Sequence, residues 1–194
     1  MAVSRVKTSS VLQGFPKYRS MLGGNAAYNP SSFESIATAS PSGTNTVSFT
    51  SIPSTYKHLQ IRISALTSSG GGSFRGTLNG DTTSANYIGH YLDGLGSSVV
   101  TGTNSGVGWM SFGLTYAGLV TTYPNLTIID IHDYASTTKN KTVRSFSGND
   151  ASGSGSIDSV SGLWLSTSAI NRVDIITGSG TYQSGSVVSL YGVK

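Results

Sequence analysis

The sequence contains no cysteine, which removes two kinds of stabilisation and chemistry. Disulfide bridges and thiolate metal ligands are both excluded, and the compartment cannot be inferred from cysteine usage. A chain of 194 residues is long enough to bury a core of its own. We therefore expect one folded domain with an extension, stabilised by apolar packing.

Long apolar runs are also missing. No apolar stretch of about 18 residues, the minimum for a membrane-spanning helix, occurs in the chain. The segment VLQGFPKYRSMLGG near the N-terminus is interrupted by glycine, proline and charge, unlike the apolar core of a secretory signal. The sequence predicts neither a secreted precursor nor membrane insertion.

Charged residues are scarce, at 10% of the chain, against about 25% in an average globular protein. Serine, threonine, asparagine and 25 glycines take their place, which is typical of an all-β chain with many turns. A surface with few charges is poorly protected against association. We therefore expect the protein to be part of an assembly and to form a homo-oligomer, for example a trimer.

Acidic residues are absent from the first 28 positions, which hold four basic ones: Arg5, Lys7, Lys17 and Arg19. The chain has 12 basic and 8 acidic residues, so the other 166 positions hold eight of each. The net charge therefore lies in an N-terminal arm ahead of a neutral body. Pro30 disfavours a helix at the residue before it, and we place the boundary there, with an arm at 1–30 and a folded domain at 31–194.

The arm also carries apolar and aromatic side chains, which a purely electrostatic tail would not need. We expect it to bind other proteins of the assembly through Leu12, Phe15, Lys17, Tyr18, Arg19 and Leu22. Gly14 and Pro16 argue against a regular helix, so an extended or irregular arm is expected.

Beyond the arm, short runs of alternating polarity are separated by glycine, serine, asparagine and proline. HLQIRISAL at 58–66 is the clearest, with Leu59, Ile61 and Ile63 on one face and polar residues on the other. LTIIDIHDY at 126–134 is apolar on both faces, which indicates a central strand. Nine or ten such runs without a fixed repeat predict an antiparallel, jelly-roll-like β-sandwich.

Motifs for catalysis are not found. The sequence has no G-x-S-x-G elbow, no phosphate-binding loop and no G-x-G-x-x-G. Asp93, Asp150, Asp158 and Asp174 adjoin glycine, serine or asparagine, where turn formation is the common role. The sequence therefore predicts no enzyme.

Asp130 and His132 form the one compact polar group, and on a strand they would share a face. Two such side chains could hold a divalent cation, but no third ligand can be placed. His58 and His90 are isolated in the sequence. We expect no metal and no cofactor.

Nucleic-acid binding needs weighing because the isoelectric point of the sequence is about 9.4. Four charges in the arm would give only weak, salt-sensitive affinity for nucleic acid, so no specific nucleic-acid binding is expected. Exposed rings could instead bind a host surface glycan, and the candidates are Tyr87, Tyr91, Tyr116 and Tyr123. Trp109 and Trp164 are more often core residues in such a pattern.

Three segments carry a resemblance: VSFTSIPSTYKHLQIRISAL, IIDIHDYASTTKNKTVRSFSG, and SGLWLSTSAINRVDIITGSGTYQSGSVVSLYGVK at the C-terminus. They resemble small virion structural proteins of tailed bacteriophages, especially phages of aquatic bacteria. The resemblance runs from about Phe33 to Lys194, with SLYGVK among its more specific points. It implies a non-enzymatic β-sandwich displayed on a particle and attached through a separate segment.

The resemblance implies a virion protein that is assembled in the cytoplasm of the host bacterium. A short arm with a receptor-facing sandwich favours the tail, as a fibre or tail-tip component involved in host attachment. Capsid decoration on the head and a carbohydrate-binding adhesin domain remain the alternatives.

Overall fold

Twelve β-strands and one short 3-10 helix, Ser84–Asn86, make up the regular structure of the described residues. The computed structural model describes residues 32–113, 120–150, 152–153 and 155–194. The predicted arm at 1–30 lies outside them. The strands are β1 Phe33–Ala39, β2 Thr46–Phe49, β3 His58–Ala65, β4 Phe74–Leu78, β5 Tyr87–Leu95, β6 Ser98–Ser105, β7 Met110–Ser111, β8 Asn125–Ile131, β9 Lys141–Asp150, β10 Gly155–Trp164, β11 Val173–Thr177 and β12 Val187–Val193.

The strands form two antiparallel sheets that pack as a sandwich. The large sheet has the order β1-β12-β3-β8-β9-β10-β5-β6, and the small sheet has the order β2-β11-β4-β7. Strands β1 to β4 alternate between the sheets, and the pairs β1–β12, β2–β11, β3–β8 and β4–β7 are nested within one another. This is the topology of a jelly roll, so the predicted fold class is confirmed.

Two hairpins extend the large sheet beyond this eight-stranded arrangement. β5 and β6 are inserted between the small-sheet strands β4 and β7, and β9 and β10 are inserted between β8 and β11. β7 is at one edge of the small sheet and contacts β10 and β5. The four inserted strands therefore form an extension whose outer edge is β6.

The core lies between the two sheets and follows the alternation predicted from the sequence. Leu59, Ile61 and Ile63 of β3 are at most 3% exposed. Phe74 of β4 and Ile175 of β11 face them from the small sheet and are fully buried. The period of two along β3 thus places alternate apolar side chains in the core.

The sequence missed one stretch of strand. The sequence from 149 to 160 is rich in glycine and serine, yet residues 149–150 complete β9 and residues 155–160 begin β10. Ten residues of each strand pair in unbroken register, from Gly155 opposite Asp150 to Trp164 opposite Lys141. Pairing with neighbouring strands overrides weak intrinsic propensity here.

Candidate functional site

The outer face of the large sheet exposes apolar side chains where a globular protein usually shows polar ones. Six of them, which we call the platform, are 44–69% exposed: Leu92, Val99, Leu126, Ile128, Phe146 and Ile157. They come from five adjacent strands, β8, β9, β10, β5 and β6. Exposed apolar patches that extend over several strands are typical of surfaces that bind another molecule.

Glycines shape the platform into a groove. In one row across the sheet, Leu126, Ile157 and Val99 alternate with Gly148 and Gly94. Because glycine has no side chain, the surface of the sheet is recessed between the large residues. The resulting open groove has a volume of about 1020 Å³, and Tyr123 and Pro124 line one side of it.

A polar band borders the platform on the same face. Gln60 Nε2 donates to Asp130 Oδ1 at 2.8 Å, and Arg62 Nε donates to Gln60 Oε1 at 2.8 Å. Arg144 is the direct cross-strand partner of Asp130. The charged groups of Asp130 and Arg62 thus both hydrogen-bond to Gln60, and the six platform side chains themselves are uncharged.

The apolar residues on both faces of LTIIDIHDY, which predicted a central strand, also include two of the platform residues. β8 is apolar on both faces and is central, as predicted, lying between β3 and β9. However, its outward side chains Leu126 and Ile128 are exposed rather than covered by a second layer. Two-sided apolarity in this central strand therefore reflects an exposed apolar face.

The three described tyrosines among the four proposed for glycan binding do not form one surface. Tyr87 is 1% exposed, and its hydroxyl donates to the Asp81 carbonyl oxygen at 2.9 Å and accepts from Leu78 N at 3.1 Å. Burial raises the pKa of Tyr87 to about 12, so it is a neutral core residue and cannot stack on a sugar. Among these three described tyrosines, Tyr123 alone lines the groove. Tyr91 is half-buried, with its ring against Gly102.

Tyr116, the fourth tyrosine proposed for glycan binding, lies outside the described residues.

The two tryptophans differ from each other. Trp164 is buried in the core, as predicted, and its Nε1 donates to Asp81 Oδ2 at 2.7 Å. Trp109 is half-buried, with the Arg75 guanidinium 4.2 Å from its ring centroid.

Asp130 and His132 contact different side chains. β8 ends at Ile131, so His132 lies in the following turn, whereas Asp130 stays on the sheet and bonds Gln60. Instead, the His132 ring meets the ring of His58 edge-on, with centroids 5.0 Å apart. The isolation of His58 in the sequence was misleading, because a cross-strand neighbour supplies its partner.

His58 Nδ1 accepts a hydrogen bond from Asp133 N at 3.0 Å. Burial and the nearby His132 lower the pKa of His58, although the Asp133 carboxylate opposes that shift. Lys139 Nζ, 2.8 Å from Asp133 Oδ2, holds the pKa of Asp133 below its usual value. In the part of the chain that the structure describes, no three His, Asp or Glu side chains gather as a metal site.

The prediction that four aspartates form turns holds for one of them. Asp150 is exposed at the end of β9, and its Oδ1 accepts from Gly153 N at 3.3 Å. Asp93, Asp158 and Asp174 are instead buried inside strands. Asp174 is bound by Arg172 through Nε and Nη2 at 2.9–3.0 Å, which the sequence could not show because turn and strand aspartates look alike.

The part of the chain that the structure describes does not include the contact residues proposed for the arm, which are Leu12, Phe15, Lys17, Tyr18, Arg19 and Leu22.

No helix among the described residues has the length and hydropathy needed to cross a membrane. Comparisons of the chain with family models, with curated proteins and with solved structures find no match. Fold and surface together define a class: an all-β jelly-roll sandwich with an apolar outer face.

Proposed function

We infer that the chain is a non-enzymatic structural protein of a tailed bacteriophage particle. In this proposal the arm at 1–30 attaches it to other virion proteins, and the sandwich is displayed on the tail as a fibre or tail-tip component. Head decoration is the alternative location. The resemblance of three sequence segments supports the phage assignment, and the platform is the single observation that carries a role in assembly.

A second copy of this chain is the occupant we assign to the platform. Its six side chains are uncharged, so two copies related by a two-fold axis bring apolar surface against apolar surface without opposing like charges. The residues after the arm carry eight basic and eight acidic side chains, so copies of the body do not repel each other at long range. Burial of half-exposed leucine, isoleucine and phenylalanine side chains supplies the association energy.

The test of the virion assignment is mass spectrometry of density-purified phage particles together with antibody labelling of the same particles. We expect the protein at a fixed copy number in the particles and the label on the tail. A label on the head would support the decoration alternative. Absence from the particles while the protein is abundant in the lysate would contradict the proposed function.

An arm-deleted chain lacking residues 2–28 separates attachment from folding. We expect it to remain soluble and folded, because the strands begin at Phe33, but to be lost from particles. Incorporation at the normal copy number would show that the sandwich itself attaches the protein.

A carbohydrate-binding adhesin is the second candidate, because two aromatic side chains, Tyr123 and Phe146, line the exposed groove. Aromatic rings with exposed faces commonly stack against sugar rings in carbohydrate-binding sites. A glycan array with the full chain tests this. Binding that is lost in both Tyr123→Ala and Phe146→Ala, but kept in Leu92→Ala, would favour the adhesin, and no binding to any glycan would remove it.

A further inference from the structure

β6, at the outer edge of the large sheet, lacks the features that usually keep an edge strand from pairing with another chain. Native edge strands are commonly short, bulged or charged, or they contain proline. β6 runs over eight residues, Ser98–Ser105, and pairs with β5 without a shift in register. Its sequence SVVTGTNS contains neither a charged residue nor proline, and its valines and threonines favour a strand.

The other three edges of the two sheets each have such a feature. β1, at the opposite edge of the large sheet, has a register shift between Ser35 and Ala37. Its Glu34 forms an ion pair with Lys194, with 2.7 Å between Oε2 and Nζ. β2 and β7, at the edges of the small sheet, have only four and two residues. Among the described strands, β6 is therefore the edge that is available for pairing.

Alternate residues of β6 direct their backbone groups away from the sheet. A two-residue turn joins β5 to β6, so the residues that flank it, Leu95 and Ser98, form a hydrogen-bonded pair. Residues along an antiparallel strand bond alternately to one side and to the other. The backbone N–H and C=O groups that point away from β5 are therefore those of Val99, Thr101, Thr103 and Ser105. No other described strand pairs with this side of β6.

A second copy of β6 fits this edge. Under a two-fold axis perpendicular to the sheet, two antiparallel copies place each free N–H opposite a free C=O. Because the strand is uncharged, no like charges meet across the axis. The edge is also continuous with the platform, since Val99 belongs to both and is 69% exposed. Pairing brings the platforms of the two copies to the same side of the joined sheet, where they form one apolar surface.

We propose that β6 pairs with β6 of a second copy and that the assembled protein is a tetramer. The pairing rests on the proposed function, in which another copy covers the platform. A single edge of eight residues is a small contact beside the roughly 1,200–2,000 Å² of a stable interface, so the platform contact must add to it. The edge contact and the face contact use perpendicular two-fold axes, and together they relate four copies with D2 symmetry.

Sedimentation velocity of the full chain at micromolar concentration, comparing the wild type with Thr101→Pro, tests the pairing. Proline removes an N–H that points away from β5, and edge strands tolerate proline at such positions, so we expect the fold to be kept. We expect a tetrameric wild type and a dimeric Thr101→Pro, in which the platform contact remains. Thr101→Val, which keeps the N–H and the β-branched shape, should stay tetrameric. A Thr101→Pro variant that remains tetrameric would overturn the edge pairing.

The outcomes separate this inference from the proposed function. A dimeric wild type that becomes monomeric in Phe146→Ser with Ile157→Ser would keep the platform contact and overturn only the β6 pairing. A trimeric wild type would also overturn it, because a three-fold axis cannot pair an edge with itself. A Thr101→Pro variant that sediments like the wild type but is lost from phage particles would assign the edge to another virion protein instead. A monomeric wild type would contradict both proposals.

Cysteine cross-linking covers the case in which Thr101→Pro does not fold. The chain has no cysteine, so Thr101→Cys with Thr103→Cys introduces the only thiols. Pairing about the centre of β6 brings one of these thiols opposite a thiol of the second copy, with Cα atoms about 4.5–5.5 Å apart, within disulfide range. After mild oxidation we expect a covalent dimer on a denaturing gel.

The matched control for cross-linking is Thr138→Cys with Asn140→Cys, at two exposed positions in the turn after β8. We expect this control to stay monomeric on the same denaturing gel. Absence of the covalent dimer in the β6 variant, or an equal yield of it in the control, would overturn the edge pairing.

Discussion

Glycine residues decide how closely elements of this sandwich approach each other, and Gly76 is the clearest case. A Cβ atom at Gly76 would overlap the buried Phe112 ring and would lie 2.5 Å from the Asp174 carbonyl oxygen. By contrast, a Cβ at Gly89 would meet its nearest atom, the Ser161 carbonyl oxygen, at 3.5 Å, an ordinary contact. Both glycines lie inside strands, so they differ in how closely other residues pack against them rather than in secondary structure.

Gly76→Ala is therefore expected to destabilise the domain by about 1–3 kcal/mol, the usual cost of overpacking a core. Gly89→Ala is the matched control and should be neutral or slightly stabilising, since alanine costs less backbone entropy than glycine in a strand. Thermal or urea unfolding of both variants checks this. Equal stability of the two would mean that the small sheet does not pack at Gly76 as described.

Individual side chains could be placed from the sequence only where a local pattern existed. The alternation of β3 predicted the burial of Leu59, Ile61 and Ile63. The dipeptide Asn79-Gly80 is typical of a tight turn, and both residues have positive φ, of 54° and 69°. The pairing of Asp93 with Asp158 depends on the register of two strands distant in sequence. No local pattern encodes that register, so the turn interpretation was wrong for both.

At the scale of elements, the carboxylate of Asp81 connects the turn that follows β4 to β10. Asp81 accepts hydrogen bonds from Thr83 N at 2.8 Å, from Asn86 Nδ2 at 2.7 Å and from Trp164 Nε1 at 2.7 Å. Burial opposes ionisation, but these hydrogen bonds outweigh it and lower the pKa of Asp81 from 3.8 to about 2.

A folded-state pKa below the unfolded value means that the stabilisation is present above about pH 4 and is lost as pH falls toward about 2. Asp81→Asn is expected to lower the melting temperature at neutral pH by about 2–4 °C, the equivalent of roughly one net hydrogen bond. The difference from wild type should shrink as pH falls from about 5 to about 2. Melting curves of the wild type and Asp81→Asn across this pH range check the prediction, and Asp150→Asn, at an exposed position, is the control. A difference in melting temperature that does not change with pH would show that Asp81→Asn acts through packing rather than through the charge.

The elements themselves were predictable where polarity alternates and missed where glycine and serine dominate. β1, β2, β3, β11 and β12 matched apolar periodicity in the sequence. The last two residues of β9 and the start of β10 did not, because their strand state is imposed by pairing with each other and, from Ile157 onward, with β5. The jelly-roll class followed from strand number and turn spacing, while the two inserted hairpins that carry the platform did not.

At the scale of the whole molecule, the proposal divides the chain into an attaching arm and a displayed sandwich. Burial of one aromatic ring contributes about 2–3 kcal/mol, whereas an exposed ion pair contributes about 0–1 kcal/mol. Phe15→Ala should therefore reduce incorporation into particles more than Lys17→Ala. Copy number by mass spectrometry checks this, and release of the wild type by moderate salt alone would show an electrostatic anchor instead.

The central claim is that the platform is covered by a second copy in the assembled protein. Sedimentation velocity of the full chain at micromolar concentration tests it, comparing wild type with the double variant Phe146→Ser and Ile157→Ser. Ser161→Ala with Thr142→Ala, on the same outer face but off the platform, is the control. We predict an oligomeric wild type and control, and a monomeric double variant with unchanged melting temperature. A monomeric wild type, or a double variant that sediments like it, would contradict the claim.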